Sequence, residues 1–318
     1  VATQQLTVRR RLLRPRGAGR RASRGRPTLK QNLWALVFLG PWLIGLIVFT
    51  AGPMIASLVL SFTDYDLLSS PHFVGWDNFA RMFSSDPVFM KSLTVTLLYV
   101  GIGVPLELGV ALGVAVLLNR GLRGLTFYRS AFYLPSLFGG SVAVAVLWQR
   151  MFSGDGLVNQ VLALVGIHGP AWISDPSYSL MTLILLEAWQ FGAPMVIFLA
   201  GLRQIPQTYY EAAKLDGAGA WYRFRHISLP LLSPVIFFNL VLQIIRGFQA
   251  FAPAYVVSNG TGGPVNSTLF YSLYLYREGF VNFHMGYASA MAWFLLLIAA
   301  ILTAVNFLLS RYWVHYDN

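Results

Sequence analysis

Apolar residues gather into six long runs separated by polar stretches. The runs are Leu33–Leu60, Ser92–Leu118, Ser130–Gln149, Tyr178–Leu202, Leu231–Val257 and Met285–Ser310. A helix crosses the hydrocarbon core with about 20 apolar residues, and each run reaches that length. The first carries no charge, while Glu107 lies in the second, Glu187 in the fourth and Arg246 in the fifth. An isolated strand would leave its backbone groups unpaired in lipid, so every run is predicted to be helical. The expected fold class is therefore all-α: a polytopic membrane helix bundle of six transmembrane helices. One stretch between runs stands out. Tyr209–Pro230, YYEAAKLDGAGAWYRFRHISLP, is polar and basic and cannot cross a bilayer.

Composition agrees with this pattern. Only 11% of the 318 residues are charged and 56% are apolar, whereas a soluble domain is about a quarter charged. With no cysteine, disulfides, thiol catalysis and thiolate metal sites are excluded. The five histidines (72, 168, 226, 284 and 315) are scattered without ligand spacing, so no metal site is expected.

The net charge of +11 is unevenly placed, with ten of the 23 basic residues in the first 30 positions. Residues 1–32 read as a basic, disordered cytoplasmic tail and 33–318 as the transmembrane domain. Such a tail has the chemistry to touch RNA or anionic lipid. A solvated segment that helps set orientation is the simpler reading, and no nucleic-acid partner is expected. A cleaved signal peptide fits less well, because the following run is too long and no A-x-A site ends it.

Basic residues also orient the spans. With a cytoplasmic amino terminus, the inner segments hold 18 basic residues and the outer ones four; without the tail the ratio is eight to four. Both termini are then cytoplasmic, and so is Tyr209–Pro230. Seven acidic residues (Asp64, Asp66, Asp77, Asp86, Asp155, Asp175 and Glu278) fall outside. A short amphipathic helix at Trp76–Phe83 is expected on the outer face.

In the polar connector, Pro206 suits a helix start, and nothing breaks a helix from Gln207 to Leu215. Tyr209, Ala212, Ala213 and Asp216 share one face at spacings of three and four. Gly217 and Gly219 allow a sharp turn. Trp221–Ile227 reads as a second short helix, with Trp221, Phe224 and Arg225 on one face, and Pro230 marks the start of the fifth span. The expectation is a helix–turn–helix bracket on the membrane surface, or an ordinary amphipathic connector.

These residues carry a resemblance. Glu211, Ala212, Ala213, Asp216, Gly217 and Ala218, followed by Ile227, Leu229 and Pro230, resemble the EAA loop of binding-protein-dependent ABC importer permeases. WDNFARMF (76–83), LLNRGLRGLTFYRSAFYLP (117–135) and IFLAGLRQIPQTYYEAA (197–213) are similar to the carbohydrate-uptake branch. GTGGPVNST (260–268) and MGYASAMAW (285–293) are closer to its MalF-like than to its MalG-like member. The usual Thr-x-Gly-Gly-Pro is expanded here, over Ser258–Pro264.

The resemblance implies a multi-pass permease of the cell (inner, cytoplasmic) membrane, importing a sugar, with a di- or oligosaccharide expected. It implies four kinds of partner besides lipid: a MalG-like second permease, two cytoplasmic ATPase subunits, an extracytoplasmic solute-binding protein and the sugar itself. Tyr209, with the motif residues about 205–230, would couple to the ATPase. The chain has no Gly-Lys pair of a phosphate-binding loop, so it is not expected to be an enzyme. It needs no cofactor of its own, and ATP and Mg would sit on the partners.

Polar residues inside spans are functional candidates. The resemblance points to the fifth span for sugar contacts, and Glu187, Arg246, Gln249 and Tyr255 are the expected substrate path. Rings can stack on a pyranose, and amides can bond its hydroxyls. Two alternatives stay open. Arg246 pairs with Glu187 or Glu107 inside the bundle, or it holds the phosphate of a sugar phosphate such as glycerol 3-phosphate. An ion-coupled secondary transporter would use the same charges as a relay, but that class favours inverted repeats, and none is visible. No Ser-His-Asp or paired-carboxylate motif appears at the membrane surface.

Overall fold

The computed structural model describes residues 29–121 and 124–315. The expectations for the basic tail, up to residue 28, lie outside them. The chain separates into two compact units, Val1–Pro53 and Met54–Asn318. The described part of the first is helix α1 (Leu29–Leu46) and the π-helical turn Ile47–Ala51.

Helix α2 (Gly52–Leu60), whose first two residues end the first unit, leads in the second unit to a loop closed by an isolated antiparallel bridge, Thr63 to Phe73. Asn78 Nδ2 donates to the carbonyls of Ser61 (3.0 Å) and Thr63 (2.7 Å) and fixes this loop to α3 (Asp77–Ser84). The predicted short helix at Trp76–Phe83 is thus present, displaced by one residue. No β-strand forms among the described residues.

Helix α4 (Pro87–Leu118) is the axis of the bundle. Its start has two local causes. Pro87 sits in the first turn, and Asp86 caps it by accepting from Phe89 N–H at 2.9 Å. Asp86 also accepts from the hydroxyls of Tyr274 and Tyr287, both at 2.6 Å. Burial alone would raise its pKa, but these bonds outweigh that and leave it below the ordinary aspartate value. The buried face of α4 repeats every three or four residues: Ser92, Thr96, Tyr99, Gly103, Glu107, Ala111, Ala115. The opposite face, with Leu98 and Ile102, is just as apolar but exposed. In lipid the hydrophobic effect does not favour one apolar face over another. Small and polar residues select the packed face, because they let backbones approach and form bonds. A side-chain carbon on Gly247, for example, would come within 2.8 Å of Val100.

Around α4 pack α8 (Pro176–Trp189), α9 (Gly192–Gln204), α12 (Leu229–Phe248) and α14 (Tyr271–Tyr276). Helix α5 (Leu125–Phe138) covers α9. Helix α6 (Val142–Met151) packs on α13 (Ala252–Val257), α7 is Leu157–Leu164, and α15 (Met285–Trp313) packs on α12 and α3. Connector helices α10 (Gln207–Leu215) and α11 (Ala220–Arg223) precede α12.

Four helices are long and apolar enough to span: Val37–Leu60, Pro87–Leu118, Ala220–Val257 and Met285–Trp313. Two bent pairs make up to six, α5 with α6 at 96° and α8 with α9 at 42°. Ser130–Gln149, expected as one of six helical spans, is thus broken by the 96° bend. Gly139 and Gly140 end α5, and Ser141 starts α6 as its cap, accepting from Val144 N–H. Gly139 also lies against the Gln190 side chain, where a β-carbon would collide. The bend between α8 and α9 is satisfied from outside. Ser136 Oγ donates to the Gln190 carbonyl (2.6 Å) and accepts from Ala193 N–H (2.9 Å). Backbone groups freed at a break in a span need such partners.

Candidate functional site

The polar connector is built by two local signals. Pro206, extended at ψ 133°, sits at the cap of α10. At the other end Gly217 takes a left-handed φ of +79°. Its N–H bonds to Lys214 O (3.0 Å), and Ala218 N–H bonds to Ala213 O (2.8 Å), which is the Schellman closure of a helix end. Gly219 was also expected to need glycine's freedom. It is extended (φ −67°, ψ 168°), a conformation open to any residue.

The second half of the connector differs from its expected form. Trp221–Ile227 is not a separate short helix ending at Pro230. Residues Ala220–Phe248 run as one continuous helix, with α11 passing through a π-turn, Phe224–Ser228, into α12. Pro230 offers no N–H, and the widened turn, in which Leu229 N–H bonds to Phe224 O, carries the helix past it. Trp221 and Phe224 do share a face, with ring centres 5.6 Å apart.

Tyr209, Ala212 and Ala213 of α10, with Asp216 just past its end, meet Ile227 and Pro230 across a cleft of about 490 Å³, whose wall also includes His226, Leu231 and His315. The two short alanine side chains keep it open. Glu211 is exposed and has no ion pair among the described residues. Gly217, Ala218 and Leu229 do not line the cleft; the first two close the turn. Large apolar side chains are exposed on the connector: Leu215 at 90% and Trp221 at 71%. Leu215 was missed in the sequence because it lies just off the motif's spacing.

A second cavity, about 460 Å³, opens among α4, α5, α8 and α12. Glu187, Arg246 and Gln249, three of the four residues expected on the substrate path, line it. Tyr255 does not. It stacks on Phe251 (ring centres 5.3 Å apart) and meets the edge of Tyr276 (5.9 Å). The cavity instead takes Tyr99, Glu107, Tyr133, Gln190 and Gln243. Two of these, Tyr99 and Glu107, lie on the buried α4 face along which Tyr99, Gly103, Glu107, Ala111 and Ala115 recur every four residues. That spacing of small and polar residues is a signal for the face, and it was legible.

The charges are not paired with each other. Tyr99 donates to Glu187 Oε2 and Gln243 Nε2 donates to Glu107 Oε1, both at 2.6 Å. Glu107 Oε2 is buried without a partner. Among the described residues, no ion pair joins Arg246 to Glu107 or Glu187. The reading of Arg246 as a partner of either carboxylate is therefore not what forms. The cavity offers guanidinium and amide donors, carboxylate acceptors and two tyrosine rings to whatever occupies it. Among the described residues no group of metal-ligating side chains occurs.

Residues 85–314 match the model of the family described as binding-protein-dependent transport system inner membrane component. The chain belongs to that family. Permeases of this kind include a probable ABC transporter permease, YesP of Bacillus subtilis, 52% identical over 296 residues (93% of this chain, 96% of the relative). The lactose transport system permease LacF of Rhizobium radiobacter is 35% identical over 300 residues (91% and 99%). The arabinooligosaccharide permease AraP of B. subtilis is 31% identical over 280 residues (86% and 87%). A chain of a bacterial alginate ABC transporter, solved with an alginate pentasaccharide-bound periplasmic protein, shares the fold: TM-score 0.76 at 21% identity, covering 89% of this chain and 95% of that one. The sequence resemblance to an ABC importer permease is thus borne out, with an all-α membrane bundle as its fold.

Proposed function

We propose that this chain is a permease subunit of an ATP-driven importer that carries a neutral di- or oligosaccharide from an extracytoplasmic binding protein into the cytoplasm. The observation that carries this is the intramembrane cavity. Tyr99 and Tyr133 suit the apolar faces of a pyranose, and Arg246, Gln190 and Gln249 suit its hydroxyl oxygens. Glu107 Oε2, buried without a donor, suits a hydroxyl hydrogen. The names of LacF and AraP, which specify lactose and arabinooligosaccharides, support the same class. A sugar phosphate is the second reading, and the unpaired Arg246 favours it. A phosphate, however, brings only acceptor oxygens beside two carboxylates, which a neutral sugar avoids.

The rest of the assembly follows from the same reading. The amino and carboxyl termini and the connector face the cytoplasm, with residues 1–32 as a tail and 33–318 as the permease domain in the cytoplasmic membrane. The connector docks in one of two ATPase subunits. Exposed Leu215, Trp221 and Tyr209 supply apolar contact, and Glu211 meets a basic group. A second, MalG-like permease completes the path. The chain has no Gly-Lys pair, so hydrolysis belongs to the ATPase subunits.

Gln249→Ala tests the cavity. Uptake of the transported sugar should fall while the importer still assembles and co-purifies with its ATPase. An unchanged rate and half-saturation would remove Gln249 from the path. Faster uptake of glycerol 3-phosphate than of any neutral sugar would favour the second reading.

A further inference from the structure

A third cavity, about 660 Å³, lies where the end of α6, the residues before α8 and the end of α13 meet the loop Ser258–Thr268. Its wall is polar. Gln149, Arg150, Ser153, Ser174, Asn259 and Thr268 line it, and no acidic or aromatic side chain does. Three features mark it as built rather than incidental. First, the loop is forced into shape: Asn259, Gly260, Gly262, Gly263, Val265 and Asn266 all have left-handed φ. For Val265, β-branched and at +52°, this is strained. Second, the strain is held. Ser258 Oγ accepts from Gly262 N–H (3.0 Å), Thr268 N–H bonds to Gly262 O (2.9 Å), and Arg277 donates to Thr261 O (2.7 Å). Third, Thr268 is 1% exposed and its Oγ1 has no hydrogen-bond partner. It sits against Gly263, where a β-carbon would come within 2.5 Å. A buried hydroxyl left unpaired in a cavity wall calls for a guest.

We infer that this cavity is a second saccharide subsite, which receives the units of an oligosaccharide that extend beyond the intramembrane cavity. The inference rests on the sugar-permease reading. Helix α13 forms part of both walls, with Ala252 and Pro253 in the inner cavity and Val257 in the outer one. Four residues of helix separate Pro253 from Val257, a rise of about 6 Å. That is short enough for one oligosaccharide to reach from one site to the other. Guanidinium, amide and hydroxyl groups without a carboxylate suit the oxygens of sugar hydroxyls and ring ethers.

The test uses cells expressing the intact importer and uptake of malto-, arabino- and chito-oligosaccharides from disaccharide to tetrasaccharide. Thr268→Val and Arg150→Gln should each raise half-saturation for tri- and tetrasaccharides about fivefold, the factor carried by one lost hydrogen bond. Disaccharide uptake should not change. Thr268→Val removes an unpaired hydroxyl, so thermal stability of the purified importer should hold or rise, which separates the effect from misfolding. Equal effects at every chain length, or none, would overturn the subsite. So would recovery of both variants on raising the concentration of binding protein, because the cavity would then be a docking point for that protein. If the wild-type importer takes up no saccharide of any series, the sugar-permease reading itself falls, and the subsite with it.

Discussion

Gly217→Val perturbs the connector through its backbone alone. At φ +79° a β-carbon on Gly217 would meet no atom within 4 Å, so crowding plays no part. A non-glycine residue in the left-handed region costs about 1–2 kcal/mol, and a β-branched one stands at the upper end. At a factor of ten per 1.4 kcal/mol, the closed helix end becomes about 5- to 30-fold less populated. The bonds lost are Gly217 N–H to Lys214 O and Ala218 N–H to Ala213 O. Ala213 lines the connector cleft, so the turn sets the face proposed to meet the ATPase. Transport per ATP hydrolysed, measured in proteoliposomes holding the whole importer, should fall while basal hydrolysis persists. Two controls isolate the cause. Gly217→Asn should recover most of the coupling, because asparagine tolerates left-handed φ. Gly219→Val should couple like wild type, since Gly219 is extended and its β-carbon would also meet nothing. Normal coupling in Gly217→Val, or a loss in Gly219→Val as large, would refute the reasoning.

Other predictions concern the packing that positions the cavities. Ser136→Ala strips the Gln190 carbonyl and Ala193 N–H of their shared partner at the bend between α8 and α9; thermal melting of the purified protein should show a loss of about 1–3 kcal/mol. Asp86→Ala removes the cap of α4 together with the acceptor for Tyr274 and Tyr287, and should cost about 1–2 kcal/mol by the same measurement. The pH dependence has a definite sign. Asp86 has a folded pKa below its unfolded value near 3.8, so its contribution is complete above that value and is lost as pH falls through the folded pKa. As the pH is taken below 3.8, melting temperature should therefore drop less for Asp86→Asn than for wild type, and parallel curves there would contradict this.

The long spans and the α10 helix were readable because their causes are local. About 20 apolar residues, a proline at a helix start and a glycine at its end each act within a few positions. The direction of a span was harder to read. Ser130–Gln149 is apolar on both sides of Gly139–Ser141, so hydropathy did not register the 96° turn between its halves. Pro230 was taken as a boundary because proline usually breaks a helix, and the π-turn before it removed that conflict. Tyr255 was chosen for its ring, in a span rich in rings, and packing turned it toward Phe251 and Tyr276.

The sequence by itself therefore determined that this chain is a bundle of apolar helices with a polar connector of recognisable family. Tertiary structure alone decided which of the intramembrane polar residues meet. Glu107 meets Gln243 across 136 positions, and Tyr99 meets Glu187 across 88. The reason is the solvent. Lipid and protein interior are almost equally apolar, so an apolar residue does not signal which of the two it faces. That choice rests on close fits and hydrogen bonds between distant helices, which exist only once the helices have met.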